Sequence, residues 1–335
     1  MLKIVTGHYH PDLEQALVEE VRSLKSADSC VPLAIVVPSD PLKRRLTQLL
    51  CIEHKLALLD VSVLTFHQLA LQLADERQAV QGAREDAPRL DVVSDLFFER
   101  LLSSIARSKL TGLQGLDLSN LPAGGWSALW TTLRDLKDAT VDPAAALRAA
   151  AEGLFDPHET SKLQGLFTLH AAVQESGRAL DVGSADDVTV SVLPWVPSSP
   201  WLTRLARVCY YGFYDLTQVQ LSLFEAIARS RETTLYFPLG DDPAFAFARR
   251  FFERQIEPLI GAAQPVAKPA QLGEKPPQVR IMNAAGPDAE LAAACKEILT
   301  LVETNGYRFE EIGIVARTLE PYRPSLKRTF EQHRI

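Results

Sequence analysis

The first stretch that could do chemistry is a turn after an apolar segment near the start of the sequence. Residues 3–6 (KIVT) are predicted to form a short buried strand, Gly7 turns the chain, and an amphipathic helix opens at Pro11. In α/β proteins, a strand that breaks at glycine and runs into a helix is a common phosphate site. Residues 8–10 of this turn read His-Tyr-His, however, and no Gly-Lys-Ser/Thr follows.

A working phosphate loop needs glycines that let backbone N–H groups approach phosphate, a lysine for the β and γ oxygens, and a Ser or Thr hydroxyl for Mg²⁺. Here the lysine and hydroxyl positions fall on residues 10–12, which read His-Pro-Asp. The Asp12 carboxylate satisfies the dipole of its own helix and repels a triphosphate. We therefore predict a degenerate phosphate loop. Its residues are Thr6, Gly7, His8, Tyr9, His10 and Asp12.

Two metal-dependent alternatives use the same region. His8 and His10 could hold a metal, because alternate residues of an extended segment lie on one face. No third ligand stands near them in sequence, so we interpret both as structural. A PD-(D/E)xK nuclease site requires an Asp and a Glu-x-Lys on adjacent strands, whereas the Pro-Asp pairs at 11–12 and 287–288 both open helices. We predict no metal site, no nuclease site and no catalytic residue in this chain.

The bulk composition is that of an ordinary globular protein. The chain has 335 residues, 47% of them apolar and 23% charged, with 35 basic and 42 acidic residues and a net charge of −7. This balance argues against a uniformly positive surface but leaves room for a local basic groove. Four cysteines without a CxxC pair predict buried thiols in a reducing compartment. They are Cys30, Cys51, Cys209 and Cys295.

No signal peptide and no run of about 20 apolar residues is found, so we expect a soluble, cytoplasmic protein without membrane contact.

Strands and helices alternate over residues 1–84, where PLAIVVPS has the continuous apolar character of a buried parallel strand. Three such βα units predict a doubly wound α/β sheet. Residues 85–195 carry apolar residues at helical spacing and predict a helical insert, and the alternation resumes over 196–262.

The last quarter of the sequence has a different texture. Residues 263–278 are rich in Pro, Ala and Gln and predict a linker. Residues 279–335 read strand, helix, strand, helix, which predicts the start of a second α/β domain. The pattern stops where a βα unit would pass to its next strand, so we expect a longer protein.

Five passages, in this order, resemble superfamily 1 helicases, and most closely the helicase-like half of AddB-type nuclease subunits of bacterial double-strand-break repair. Residues 36–46 (VVPSDPLKRRL) are similar to a Pro-Ser/Thr turn beside single-stranded DNA, and residues 63–74 (VLTFHQLALQLA) to the TFHxLA motif of UvrD-like helicases. Residues 129–143 resemble the AddB helical insert. Residues 210–228 align with the Asp-Glu-x-Gln-Asp motif, and residues 311–330 with the strand ending in a γ-phosphate arginine.

This resemblance implies a RecA-like, P-loop-type parallel sheet (1–84 and 196–262) with an inserted all-helical domain, plus the start of a second RecA-like domain. It also exposes a second lost motif, because Gly212 and Phe213 stand where the Mg²⁺-binding Asp-Glu pair should be. Asp215 and Gln220 would remain as structural caps. Arg317 would be the former γ-phosphate arginine, with an interface ion pair as the alternative interpretation. We predict that the chain binds neither ATP nor Mg²⁺.

The same resemblance places DNA contacts at the carboxyl ends of two predicted strands, where open α/β sheets bind ligands. Hydroxyls, backbone N–H groups and cations can hold phosphates, and an aromatic ring can stack on a base. The candidate residues are Pro38, Ser39, Lys43, Arg44, Arg45, Thr65, Phe66 and His67. A solvated basic helix beside a core phenylalanine remains an equal interpretation of each segment alone.

Three functional hypotheses follow. The first is an inactivated helicase-like module that binds or guides single-stranded DNA or a duplex end without ATP hydrolysis, beside an AddA-like helicase–nuclease subunit. Its longer parent would be an exonuclease subunit with a C-terminal nuclease domain. The second is an active ATPase with a diverged loop. The third is a docking scaffold without DNA contact, which the net charge of −7 favours, whereas the basic run at 43–45 favours DNA.

Overall fold

The computed structural model describes residues 2–81, 90–108, 112–113, 115–118, 121–122, 124–240, 242–259 and 279–335. The chain forms two compact units, Met1–Leu272 and Gly273–Ile335. The linker expected at 263–278 lies outside the described residues. Within the described ranges, no helix combines the length and the apolar character needed to cross a bilayer.

The first unit is built on a parallel sheet. Its strands within the described ranges are β1 (Leu2–Gly7), β2 (Leu33–Val37), β3 (Val61–Thr65), β4 (Asp91–Val92), β5 (Val182–Gly183), β6 (Arg207–Tyr211) and β7 (Thr233–Pro238). Five of them form one sheet in the order β1-β7-β6-β2-β3, with every pairing parallel, and β4 pairs with β5. The expected α/β class with a parallel sheet is therefore confirmed.

Helices connect the strands, as parallel pairing requires. In the first unit they are α1 (Glu14–Ala27), α2 (Asp40–Gln48), α3 (Phe66–Gln81), α4 (Asp95–Arg107), α5 (Gly125–Asp138), α6 (Pro143–Ala151), α7 (Pro157–Ala179), α8 (Ala185–Val192), α9 (Pro200–Arg204), α10 (Gln218–Ser230) and α11 (Ala246–Phe251). The second unit contains α12 (Pro287–Asn305) and α13 (Arg323–Gln332).

Hydrophobic cores cover both faces of the sheet. The central strand β2 is buried along its whole length, and its side chains alternate between the two faces. Leu33, Ile35 and Val37 pack with α1 and α2. Ala34 and Val36 pack on the opposite face with α3, α8 and α10. This double burial explains why β2 reads as a continuous apolar run.

The helices between β3 and β6 enclose a third core. Phe98 of α4 stacks on Trp130 of α5 with ring centroids 4.1 Å apart, and Leu169 of α7 is buried beside them. The indole N–H of Trp130 donates to Asp95 Oδ1 at 2.8 Å. The short β4–β5 pair in this region was not predicted from the sequence.

The second unit differs from expectation. Strands were predicted at 279–286 and near 312–317, but neither segment forms a strand in the part of this unit that the structure describes. Their apolar side chains are exposed, with Ile281 at 91% and Val315 at 96%. A strand requires a neighbour that satisfies its backbone N–H and C=O groups, and these segments pair with no described strand. The prediction of these two strands is therefore wrong for the described residues, whereas the second RecA-like domain stays a prediction.

The cysteine prediction is half right. Cys209 and Cys295 are buried, whereas Cys30 and Cys51 are exposed, and all four are free thiols. Cys30 lies in the turn before β2. Cys51 lies in the helical turn after α2, whose Leu49 and Leu50 face the core while Cys51 is exposed.

Candidate functional site at the carboxyl edge of the sheet

Three strand ends meet at one cavity of about 450 Å³. The strands are β6, β2 and β3, which lie side by side in the sheet. The lining residues are Pro38, Ser39, Asp40, Thr65, Phe66, His67, Gly212, Phe213, Tyr214, Asp215 and Gln220. The structure thus joins two of the predicted DNA-contact segments with the turn at Gly212 and Phe213, although these stretches are far apart in sequence.

The floor of the cavity is aromatic. Phe66 contacts Phe213 edge-to-face with ring centroids 5.1 Å apart, and Phe66 is only 6% exposed. These rings belong to the core and present little face for stacking. Tyr214, in contrast, is 57% exposed, and His67 is exposed beside it. Sequence reasoning missed Tyr214, for which the available signal was an aromatic residue in the turn directly after a buried strand.

Gly212 has a backbone that few other residues adopt. Its φ is +92°, and a Cβ built on it would lie 2.4 Å from Leu42 Cδ2 and 3.0 Å from the Tyr9 hydroxyl oxygen. An L side chain is strained at this φ, and the ends of the Leu42 and Tyr9 side chains would have to move to admit it. The turn after β6 therefore favours glycine, and an Asp or Glu at this position would be strained.

Two helices begin at the cavity with the same Thr-x-x-Gln capping box. In α3, Thr65 N donates to Gln68 Oε1 at 3.1 Å and Gln68 N donates to Thr65 Oγ1 at 3.3 Å. In α10, Thr217 and Gln220 exchange the same two bonds at 3.2 and 3.3 Å. Gln220 is thus a helix-capping residue. Asp215 lies nearby, and burial raises the pKa of its carboxyl group.

A third helix, α2, also has its N-terminus at this cavity. Ser39, its N-cap residue, makes no side-chain hydrogen bond to the helix. Helix N-termini carry a partial positive charge and unpaired N–H groups, which together favour anions. The cavity therefore combines three helix N-termini, which favour anions, with the carboxyl groups of Asp40 and Asp215, which oppose them.

The three consecutive cations of α2 have different surroundings. Arg45 pairs with Glu14 at 3.2 Å and with Glu53, whose hydrogen bond raises the arginine pKa. Lys43 Nζ donates to Gln68 Oε1 at 3.2 Å. Arg44 is exposed on the rim of a second cavity of about 520 Å³ that also includes Lys43. The basic run is therefore not one uniform patch.

The loop after β1 is filled by its own side chains. His8 N donates to Asp12 Oδ2 at 3.0 Å, and the Asp12 carboxylate is buried. The Tyr9 ring lies against Tyr211, 5.2 Å between centroids, and burial raises the pKa of Tyr9 to about 12. A carboxylate of the chain thus already accepts a loop N–H of the kind that binds phosphate elsewhere.

The remaining predicted residues lie elsewhere. Thr6 is buried in β1 and Gly7 ends that strand. The His8 ring contacts Phe245, whereas His10 lies 3.3 Å from Glu14, so the two imidazoles have different partners. Within the described ranges, no group of three or more His, Cys, Asp or Glu side chains is placed to hold a metal. Arg317 belongs to the second unit, where its side chain is exposed.

Comparison with known proteins points to one kind of protein. No protein-family model matches the chain. Five curated relatives share one name, which designates the B-type component of an ATP-dependent helicase/deoxyribonuclease. The chain therefore resembles these AddB-type subunits.

The individual similarities are low to moderate. The relative from Desulforudis audaxviator is 24% identical over 377 residues, which cover 100% of this chain and 31% of the relative. The relative from Bacillus licheniformis is 26% identical over 153 residues (44% and 12%), and that from Symbiobacterium thermophilum is 37% identical over 93 residues (28% and 7%). The chain spans less than a third of the length of these relatives.

Proposed function

We propose that this chain is the helicase-like module of an AddB-like subunit of a DNA-repair helicase–nuclease, and that it binds or guides DNA without hydrolysing ATP. The observation that carries this proposal is the cavity at the ends of β2, β3 and β6. It joins the predicted DNA-contact segments with a turn that has lost its Mg²⁺ ligands.

Two features support the loss of ATP hydrolysis. The loop after β1 lacks the lysine and the hydroxyl of a phosphate loop, and Asp12 occupies the N–H of His8. The turn after β6 carries Gly212 and Phe213, which offer no oxygen ligand to Mg²⁺. Each lesion alone removes an element that phosphoryl transfer requires.

The chemistry of the cavity favours a single-stranded nucleic acid. Three helix N-termini and the hydroxyls of Ser39 and Thr65 suit phosphate oxygens. Tyr214 and His67 are exposed rings on which bases can stack. Lys43 and Arg44 lie on the adjoining face of α2 and can neutralise backbone charge.

The larger assembly is part of the same proposal. We take residues 1–84 and 196–262 as one RecA-like domain interrupted by the helical insert 85–195. The name that the relatives share includes a helicase and a deoxyribonuclease. We assign the motor to an AddA-like partner subunit and the nuclease to a part of the protein outside this chain.

A paired titration tests the proposal. Labelled oligothymidine is added at about 50 and 200 mM salt, and a fluorescent ATP analogue is added with Mg²⁺. We expect DNA binding that weakens with salt, because phosphate contacts release counterions, and no nucleotide binding. Tight Mg²⁺-dependent nucleotide binding would support a diverged ATPase instead. Absence of both would leave a docking scaffold as the better explanation.

A further inference from the structure

We propose that Gln68 is a positioning residue that holds Lys43 beside the DNA-binding cavity, on the adjoining face of α2; this inference rests on the proposed function. Gln68 lies in the first turn of α3, and Lys43 lies in the first turn of α2. The two helices follow neighbouring strands, β3 and β2. Gln68 is therefore placed to connect two of the elements that build the cavity.

The side chain of Gln68 makes three hydrogen bonds to these elements. Its Oε1 accepts from Thr65 N at 3.1 Å and from Lys43 Nζ at 3.2 Å. Its Nε2 donates to Asp40 Oδ1 at 3.5 Å. One amide thus caps its own helix and contacts both an anion and a cation on the neighbouring helix.

The chemistry of the acceptor decides what Lys43 can do. An amide oxygen is neutral, so it orients the ammonium without cancelling its charge. Arg45 is different, because the carboxylates of Glu14 and Glu53 compensate its charge. Ordering a lysine side chain in advance also removes rotamer entropy that DNA binding would otherwise cost. Lys43 is consequently both charged and pre-oriented for a phosphate.

The second capping box provides an internal comparison. Gln220 makes the same two bonds with Thr217, and among the described residues its side chain bonds no cation. The capping role alone therefore does not explain the additional bonds of Gln68. Gln220→Ala is the control for the coupling, since it removes an equivalent cap without affecting the Lys43 contact, although Gln220 itself lines the cavity.

A double-mutant cycle on oligothymidine affinity tests the inference, using the whole chain and variants checked by thermal unfolding. We expect Lys43→Met to weaken binding about fivefold and to lower the salt dependence by about one phosphate contact. Gln68→Ala should weaken binding about threefold alone and have no further effect in the Lys43→Met background, because the positioned group is gone. In the double variant Gln220→Ala/Lys43→Met, the fold-losses of oligothymidine affinity of the two single variants should multiply.

Independent, multiplicative effects of Gln68→Ala and Lys43→Met would overturn the inference while leaving the proposed function intact. Failure of the wild-type chain to bind oligothymidine would instead overturn the proposed function and this inference with it. If Gln68→Ala does not fold, Gln68→Glu retains the capping box but adds a carboxylate beside Lys43. It should weaken binding and reduce the salt dependence, and unchanged binding by this variant would contradict the positioning role.

Discussion

Two regions at the carboxyl edge of the sheet differ in how their space is filled. The turn after β1 is closed, because Asp12 accepts the His8 N–H and Tyr9 packs against Tyr211. The turns after β2, β3 and β6 surround an open cavity. Both regions have the strand-to-helix geometry that binds phosphates in α/β proteins. The strand-to-helix geometry alone therefore does not make a ligand site. The side chains of the turn determine whether the space is occupied by the protein itself or stays open to a ligand.

The largest effect is expected from Gly212→Val, which adds a side chain between the two regions. The positive φ and the 2.4 Å approach to Leu42 predict a loss of about 4 kcal/mol in the free energy of unfolding. Chemical denaturation measures it. Gly153→Val is the control, because Gly153 has a φ of +75° but open space around it, and should cost about 2 kcal/mol. Equal losses would contradict the steric part of this explanation.

Asp12→Ala should remove the carboxylate that fills the closed turn after β1. Removing the carboxylate leaves the His8 N–H without its acceptor and costs about 2 kcal/mol of unfolding free energy. Asp12→Asn keeps an oxygen acceptor and should lose less. Under the proposed function, neither variant should bind Mg²⁺-ATP, because residues 10–12 supply no phosphate-loop lysine and Gly212 and Phe213 supply no Mg²⁺ ligand. Recovery of nucleotide binding in Asp12→Ala would show that this one carboxylate, and not the wider loss of motifs, closes the site.

A smaller effect separates the cations of the open region. Arg44→Ala should weaken oligothymidine binding about threefold and lower the salt dependence, because it removes an exposed charge beside the cavity. Arg45→Ala should weaken binding less and reduce stability instead, since Arg45 is held by Glu14 and Glu53. Fluorescence titration and thermal unfolding provide the two readouts. The reverse ranking would mean that Arg45 leaves its carboxylates when DNA binds.

An effect confined to alkaline solution is a pH dependence of the closed turn. Burial raises the pKa of Tyr9 from 10.0 to about 12, so between these values the unfolded chain loses a proton that the folded chain keeps. Stability should therefore fall as pH rises above about 10. Tyr9→Phe should make this decline shallower, measured by urea unfolding at several alkaline pH values. If the unfolding free energy of the wild type and of Tyr9→Phe falls equally with pH, burial does not raise the pKa of Tyr9.

Part of this arrangement could be predicted from the sequence. The continuous apolar run of β2 and the alternation of strands and helices predicted a parallel α/β sheet, because doubly buried strands have no polar face. The strand-end rule then placed Ser39 and Thr65 at one edge. Ser39 and Thr65 meet Gly212 at one cavity because β6 lies beside β2 in the sheet. This strand order depends on contacts between residues distant in sequence, so it could not be predicted from local patterns.

Other features depended on particular side-chain partners. Nothing in the run 43–45 indicates that Arg45 pairs with carboxylates while Lys43 contacts an amide. The predicted strands at 279–286 and 312–317 have suitable apolar patterns but no described partner. Strand formation is a property of a pair, so a pattern within one segment cannot establish it.

The order of the strands also bears on how the chain is made. β1 lies at an edge of the described sheet and pairs only with β7, with Leu2 opposite Thr233. At about 5–20 residues per second of synthesis, roughly 10–50 s pass between the emergence of the first strand and that of its partner. During this time the N-terminal segment has no β7 ladder to join. The closed turn after β1 is consequently among the last parts of the sheet edge that can form.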